Sequence, residues 1–275
     1  MRQFGRNYRL ELIAQQDVIH IEGLRISFEI TKSIDSKPNP ARISLWNLNR
    51  NTINRLLAGE FKLIKLYVGY SSLRIIYMGD LIRAKVMRDG VDFIIEFECG
   101  DGFNDHQSAI FSKTIRAGAT IRDTFLNAAS TFESPLGSHM LPSNKQLPRA
   151  QVFNAPTRKV LNDLANDQNA NWFIEDGELN FLPYDQVMNK SIPLLSEQTG
   201  LIGSPEQTDQ GLEIDCLLNP DLSIGSLILL ESIIEYFNGE YKVVHLSHKG
   251  DILGDDWLTH LIVMGGKFKR ISKNE

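Results

Sequence analysis

Six imidazole and carboxylate side chains crowd the stretch HLSHKGDILGDDWLTH: His245, His248, Asp251, Asp255, Asp256 and His260. Imidazoles and carboxylates ligate zinc and serve as the acids and bases of hydrolysis, so His248, Asp251, Asp255 and Asp256 are the candidate metal ligands of a metal-assisted hydrolase. Such a site needs three or four convergent groups, each oriented by further hydrogen bonds. The elements that must carry these residues argue against convergence. YKVVHLSH is β-branched and opens on an aromatic residue, a strand pattern in which residues of opposite parity face opposite sides, so His245 and His248 cannot reach one ion. His260 runs in phase with Leu258, Ile262 and Met264 in a second strand. Between the strands, KGDILGDD holds the Gly and Asp residues that tolerate positive φ and bond to their own backbone in turns. The stretch reads as a hairpin with an acidic turn, and no catalytic residue, cofactor or metal is expected.

Other motifs are fragments. His20-Ile21-Glu22 matches half of the zinc-deaminase signature, but the P-C-x-x-C half is absent. Asp101, Asn104 and Asp105 in GDGFND suggest a calcium loop without its ligand order or distal Glu, and a solvated turn is the expectation. Nucleophile elbow, P-loop, H-E-x-x-H and G-x-G-x-x-G are all missing. The paired carboxylates of a cell-wall-cleaving hydrolase would leave no signature among 34 acidic residues. Trp46, Trp172 and Trp257 lie in or beside strand patterns with aliphatic neighbours, where core packing is expected.

Composition narrows the classes further. A chain of 275 residues, 42% hydrophobic, can bury more than one module. The formal net charge of −5 comes without a block of like charge, so the electrostatic footprint of a dedicated nucleic-acid binder is missing. No apolar run approaches the roughly 20 residues that span a bilayer, and the N-terminal arginines precede no apolar segment, so neither membrane nor secretion is expected. Cys99 and Cys216 each fall in phase with apolar neighbours, as buried thiols in a reducing compartment do.

The first hundred residues alternate with period two. Tyr8, Leu10, Leu12 and Ala14 share one side, Leu24, Ile26, Phe28 and Ile30 another, and Val91, Phe93, Ile95, Phe97 and Cys99 a third, after an Asp89-Gly90 turn. One short helix interrupts, capped by Asn49, stapled by Leu48 and Ile53, and ended by Gly59. Thr120 and Asp123 form a capping box ahead of a second helix with Ile121, Phe125, Ala128 and Ala129 on one face. Residues 133–150 hold three prolines and read as an exposed loop. A helix bearing Val160, Leu161, Leu164 and Ala165 follows, then a hairpin over 172–181 with an Asp-Gly turn. The last third alternates again, with Leu212, Ile214, Cys216 and Leu218 in phase. The fold class is mainly β (α+β), in three parts: a β-domain over 1–112, an α/β insert over 113–190, and a second β-domain over 191–275.

ARISLWNLNRNTINRLLAGEFKLIKLYVGYSSLRIIYMGDLIRA, residues 41–84, resembles the tailed-phage baseplate hub proteins, the tube-like hub family shared with contractile injection systems. The shared pattern is a strand ending in WNL, a short helix, a strand ending in GY and an aliphatic strand leading into GD. EQTDQGLEIDCLLNPDLSIGSLILLES and NGEYKVVHLSHKGDILGDDWLTHLIVMG resemble the second tube-like domain of those hubs. The resemblance implies two related β-barrel-like tube domains flanking a small α/β insert, assembled as a homotrimer in the virion after synthesis in the host cytoplasm. The implied partners are the hexameric tail tube, the trimeric central spike and other baseplate proteins, with genomic DNA passing through the lumen without specific binding. The expected cores are Leu24, Ile26, Phe28, Phe93, Phe97 and Cys99 in the first domain and Ile214, Cys216, Leu229 and Val243 in the second. Loops 133–150 and 250–256 are the expected carriers of partner contacts. The rival reading is a metal-assisted or cell-wall-cleaving hydrolase using the 248–260 cluster or unidentified carboxylates.

Overall fold

Burying every second side chain along an extended segment leaves the backbone to pair sideways, and the alternating segments do so. The computed structural model describes residues 5–271. Its first β region comprises β1 (Asn7–Ala14), β2 (Val18–Ile21), β3 (Ile26–Ser33), β4 (Asn39–Trp46), α1 (Arg50–Leu57), β5 (Phe61–Gly69), β6 (Leu73–Asp89), β7 (Asp92–Asp101) and the short α2 (Phe103–Ser108). The insert follows as β8 (Ile110–Ile115), α3 (Ile121–Ala129), β9 (Leu136–His139), β10 (Gln151–Pro156), α4 (Thr157–Gln168), β11 (Ala170–Glu175) and β12 (Glu178–Pro183). The remainder holds β13 (Gln186–Val187), β14 (Leu194–Leu195), β15 (Leu201–Thr208), β16 (Gly211–Leu217), β17 (Leu227–Leu230), β18 (Gly239–Asp251), β19 (Trp257–Gly265) and β20 (Lys269–Arg270).

The mainly β fold with an α/β insert is as expected, but the two β regions share one sheet. Its 13 strands run β15-β16-β19-β18-β3-β4-β7-β6-β5-β1-β2, with β17 and β14 branching from β18. Among the described residues neither region closes on itself by backbone pairing. The order β3-β4-β7-β6-β5 is repeated as β15-β16-β19-β18-β17, every neighbour antiparallel. Even the irregularities correspond: β6 bulges between Leu81 and Arg83, β18 between Val243 and His245.

Three apolar cores lie along the molecule. The first gathers Leu10, Leu12, Ile26, Phe28, Ile43, Leu66 and Phe97, and also takes Leu218 and Trp257 from the last third. Phe28 meets Trp257 edge to face, ring centroids 5.5 Å apart. The second gathers Ile214, Cys216, Ile228, Val243 and Leu261, and the third, within the insert, Phe111, Phe125, Leu161, Trp172 and Phe181. The helix ends follow their sequence signals. Asn49 accepts from the Thr52 N–H at 2.8 Å, and Thr120 and Asp123 cap α3 reciprocally.

Two expected core residues are corrected. Phe93 has the right phase, but the β6–β7 hairpin runs past the core, leaving Phe93 39% exposed. Leu229 takes the outward face of β17 while Ile228 and Leu230 fill the core. Leu24 is half-buried, and the other seven are buried. Residues 133–150 are also not a plain loop. β9 pairs in parallel with β12, Gln146 bridges to Thr120, and Leu141 and Leu147 pack on the insert's core.

Candidate functional site

Parity, a bulge and two arginines take the 245–260 cluster apart. His248 is fully enclosed, hydrogen-bonded through Nδ1 to Thr259 Oγ1 at 2.8 Å. Burial, and then the nearby Lys32 cation, push its pKa down to about 3, so the ring is neutral. His245 lies past the β18 bulge with parity opposite to His248. His260 pairs with Asp215 at 2.8 Å on the outer side of the sheet. Asp251 is held by Arg25 at 2.9 Å, and that guanidinium also sits 4.4 Å from the centre of the Trp46 ring. Asp256 pairs with Lys249 at 2.8 Å. Arg6 donates to the backbone carbonyls of Asp251, Gly254 and Asp255, fastening the turn to the start of the chain. Among the described residues, no three His, Cys, Asp or Glu side chains are placed to hold a metal ion. Leu253, 75% exposed, is the turn's outward feature.

Charge converges instead at a place that no motif marks. Lys32 on β3 places Nζ 2.7 Å from both carboxylate oxygens of Asp176 and 4.0 Å from Glu175 Oε1. Glu175 in turn accepts from Lys190 Nζ at 2.9 Å and from the Ile224 N–H at 3.0 Å. Asp101, fully buried, accepts from the Asp176 and Gly177 N–H groups, and Asn39 donates to the Ile174 carbonyl. Asp176 and Gly177 have φ of 53° and 81°, as the Asp-Gly hairpin turn requires. Gly102 sits at φ +65°, and a Cβ there would meet Ile174 Cδ1 at 2.3 Å, so glycine lets the first β region approach the insert.

Electrostatics suit a clamp. Burial pulls the Lys32 pKa down, but the Asp176 and Glu175 carboxylates, helped by Asp101, outweigh it and leave it raised. Burial, with Asp176 beside it, pushes Asp101 well above the usual carboxylate range against the pull of Lys32 and two N–H donors. The junction joins β3, the hairpin turn and the loop before β17, fixing the insert against both β regions. GDGFND is therefore not the expected solvated turn: Asp105 is buried too, accepting from the Glu133 and Ser134 N–H groups. A shallow cleft of about 180 Å³ beside it is lined by Asp80, Asp105 and Glu133, but Asp80 is already bonded to Asn104. Lys242 forms a smaller junction, donating to the Tyr184 carbonyl at 3.2 Å, and burial lowers its pKa to about 8 against the pull of Asp185.

Strand edges are a further binding feature. Among the described residues β15 pairs only with β16, β2 only with β1, and β6 beyond its bulge only with β7. Unpaired edges present rows of N–H and C=O groups that template another strand.

A family model described as baseplate hub gp41 matches residues 9–251. No curated protein sequence matches. Three solved structures share the fold at 10% identity. A tail protein from Neisseria meningitidis MC58 aligns with TM-score 0.64 over 94% of this chain and 96% of its own. The 43 kDa tail protein of prophage MuSo2 from Shewanella oneidensis aligns at 0.62, over 93% and 97%. The Escherichia coli c3393 protein aligns at 0.65 over 94% and 78%; it is described as a component of the type VI secretion system with structural similarity to T4 bacteriophage tail proteins gp27 and gp5.

Proposed function

Since this chain belongs to the baseplate hub gp41 family, we propose that it is a non-enzymatic hub, a homotrimeric ring adapting the hexameric tail tube to the trimeric spike. Family membership supports the broader part of this reading: a structural role in phage tail assembly, among other tail components and in the virion. The observation that carries the finer part is the repeated strand order, which gives each chain two like β modules, so that three chains supply six to meet a hexameric tube. Each module would form a barrel-like segment of the ring, whose lumen passes genomic DNA. A net charge of −5 suits a wall along which DNA slides without specific binding. Tube, spike and neighbouring baseplate proteins would meet the ring's two ends.

The test is mass in solution together with particle images. A threefold ring that binds a tail-tube hexamer is the expected result, and a stable monomer with hydrolytic activity would overturn it. The likeness to the secretion-system component favours one second reading, a hub-like module of such a system with the same architecture. Neighbouring genes encoding secretion rather than virion components would select it.

A further inference from the structure

The junction between the two β modules inside the chain is itself a strand pairing. Beyond its bulge, β18 gives its outer edge to β3, from His245 opposite Ser33 to Asp251 opposite Ser27. Its counterpart in the first module, β6, bulges at the matching place, yet its outer edge over residues 82–89 meets no strand among the described residues. The counterpart of β3 is β15, and its outer edge is unpaired as well. Each chain thus satisfies one such junction internally and is left with the two halves of a second, one on β6 and one on β15.

We propose that the β6 edge over 82–89 pairs antiparallel with the β15 edge of a second copy, in the register that joins β18 to β3. The inference deepens the ring reading and rests on it. The register follows from equivalent positions. Leu81 and Val243 directly precede the two bulges, opposite Cys99 and Val263, which lie opposite Ala41 and Leu212. Lys85 then stands where Ser247 does and Thr208 where Thr31 does, so the Ser247–Thr31 pair becomes Lys85–Thr208 between copies. Val86 comes opposite Gln207, and Met87 opposite Glu206.

Two further features fit. The β6 edge carries Arg83, Lys85 and Arg88 against one acid, Asp89, whereas β15 and the turn after it carry Glu206 and Asp209. In the internal junction Lys249 lies opposite Glu29; between copies the equivalent pair is Met87–Glu206, which places Lys85 diagonal to Glu206 on the same face. Both edges are also blunted against indiscriminate pairing, β6 by its charges and β15 by a register shift that encloses Gly203 and Pro205. Because the two halves differ, the contact is head-to-tail and either closes a ring or runs on as a filament.

The full chain carrying Lys85→Cys and Thr208→Cys tests this. Directly opposed strand residues lie about 4.5–5.5 Å apart between Cα atoms, within disulfide reach. The native Cys99 and Cys216 are buried and do not compete. Mild oxidation should give a covalent trimer from the double variant. An equal mixture of the two single variants should stop at dimers, and Lys85→Cys with Ile202→Cys should stay uncoupled. A chain that is trimeric by light scattering but does not cross-link overturns this pairing and leaves the ring standing. An unlinked monomer overturns both, and an open ladder without a closed trimer upholds the pairing while overturning threefold closure.

Discussion

Two charged regions invite comparison: the acidic turn at 248–260 and the junction of Lys32, Asp101, Glu175 and Asp176. The first packs its letters together in the chain and disperses them in space, into surface ion pairs and one neutral, enclosed histidine. The second gathers groups from β3, the end of β7 and the turn between β11 and β12 into a largely buried cluster. Adjacency in sequence is thus a poor guide to convergence on a β-sheet, where neighbours point to opposite faces and partners come from other strands.

Replacing Lys32 with Met should widen the contrast most. Removing one partner of a buried ion pair leaves the others uncompensated, at about 3–5 kcal/mol, read as a lower urea midpoint at unchanged m-value. A loss below ~1 kcal/mol would mean that the junction is hydrated and is not the clamp described.

The next largest effect is in pH. His248 has a folded pKa of about 3 against the ordinary 6.5, so below 6.5 the unfolded chain takes up a proton that the folded chain refuses. Stability from this group is therefore present above 6.5 and is lost as pH falls towards 3, by a few kcal/mol in all. His248→Gln should flatten the decline in urea midpoint between pH 6.5 and 4. Part of it will remain, because His106, held near 4 by burial and Arg158, gives a slope of the same sign.

Arg25→Ala removes a partly exposed ion pair and a cation–π contact, and should cost about 1 kcal/mol in thermal unfolding. Smallest of all, Asp255→Asn should stay within ~0.5 kcal/mol, since Arg6 holds that residue by its backbone carbonyl. Zinc or calcium should leave the melting temperature of the unaltered chain unchanged. A stabilisation by metal that disappears in Asp255→Asn would reinstate the turn as a site.

Strand patterns, caps and turns were legible because their causes are local. Leu10 and Leu12, Ile95 and Phe97, and Ile214 and Cys216 announce their faces by parity, Asn49 and Thr120 their helices by capping chemistry, and Asp176-Gly177 its turn by the left-handed φ it needs. Phe93 shows the limit of that signal, for alternation gives a residue's face without saying whether the core extends that far. The bulge at Val244 is likewise silent in sequence, although it decides which side of β18 every later residue takes.

By itself, then, the sequence determined two β regions, an α/β insert and the hub resemblance, because period, caps and turn residues act within a few positions. Only the tertiary structure decided that the β regions share one sheet, that the strand order repeats, and that a lysine at 32 meets carboxylates at 175 and 176. The physical reason is that strand pairing and burial of charge couple residues far apart in the chain, and no local periodicity records which edge will be satisfied and which left open.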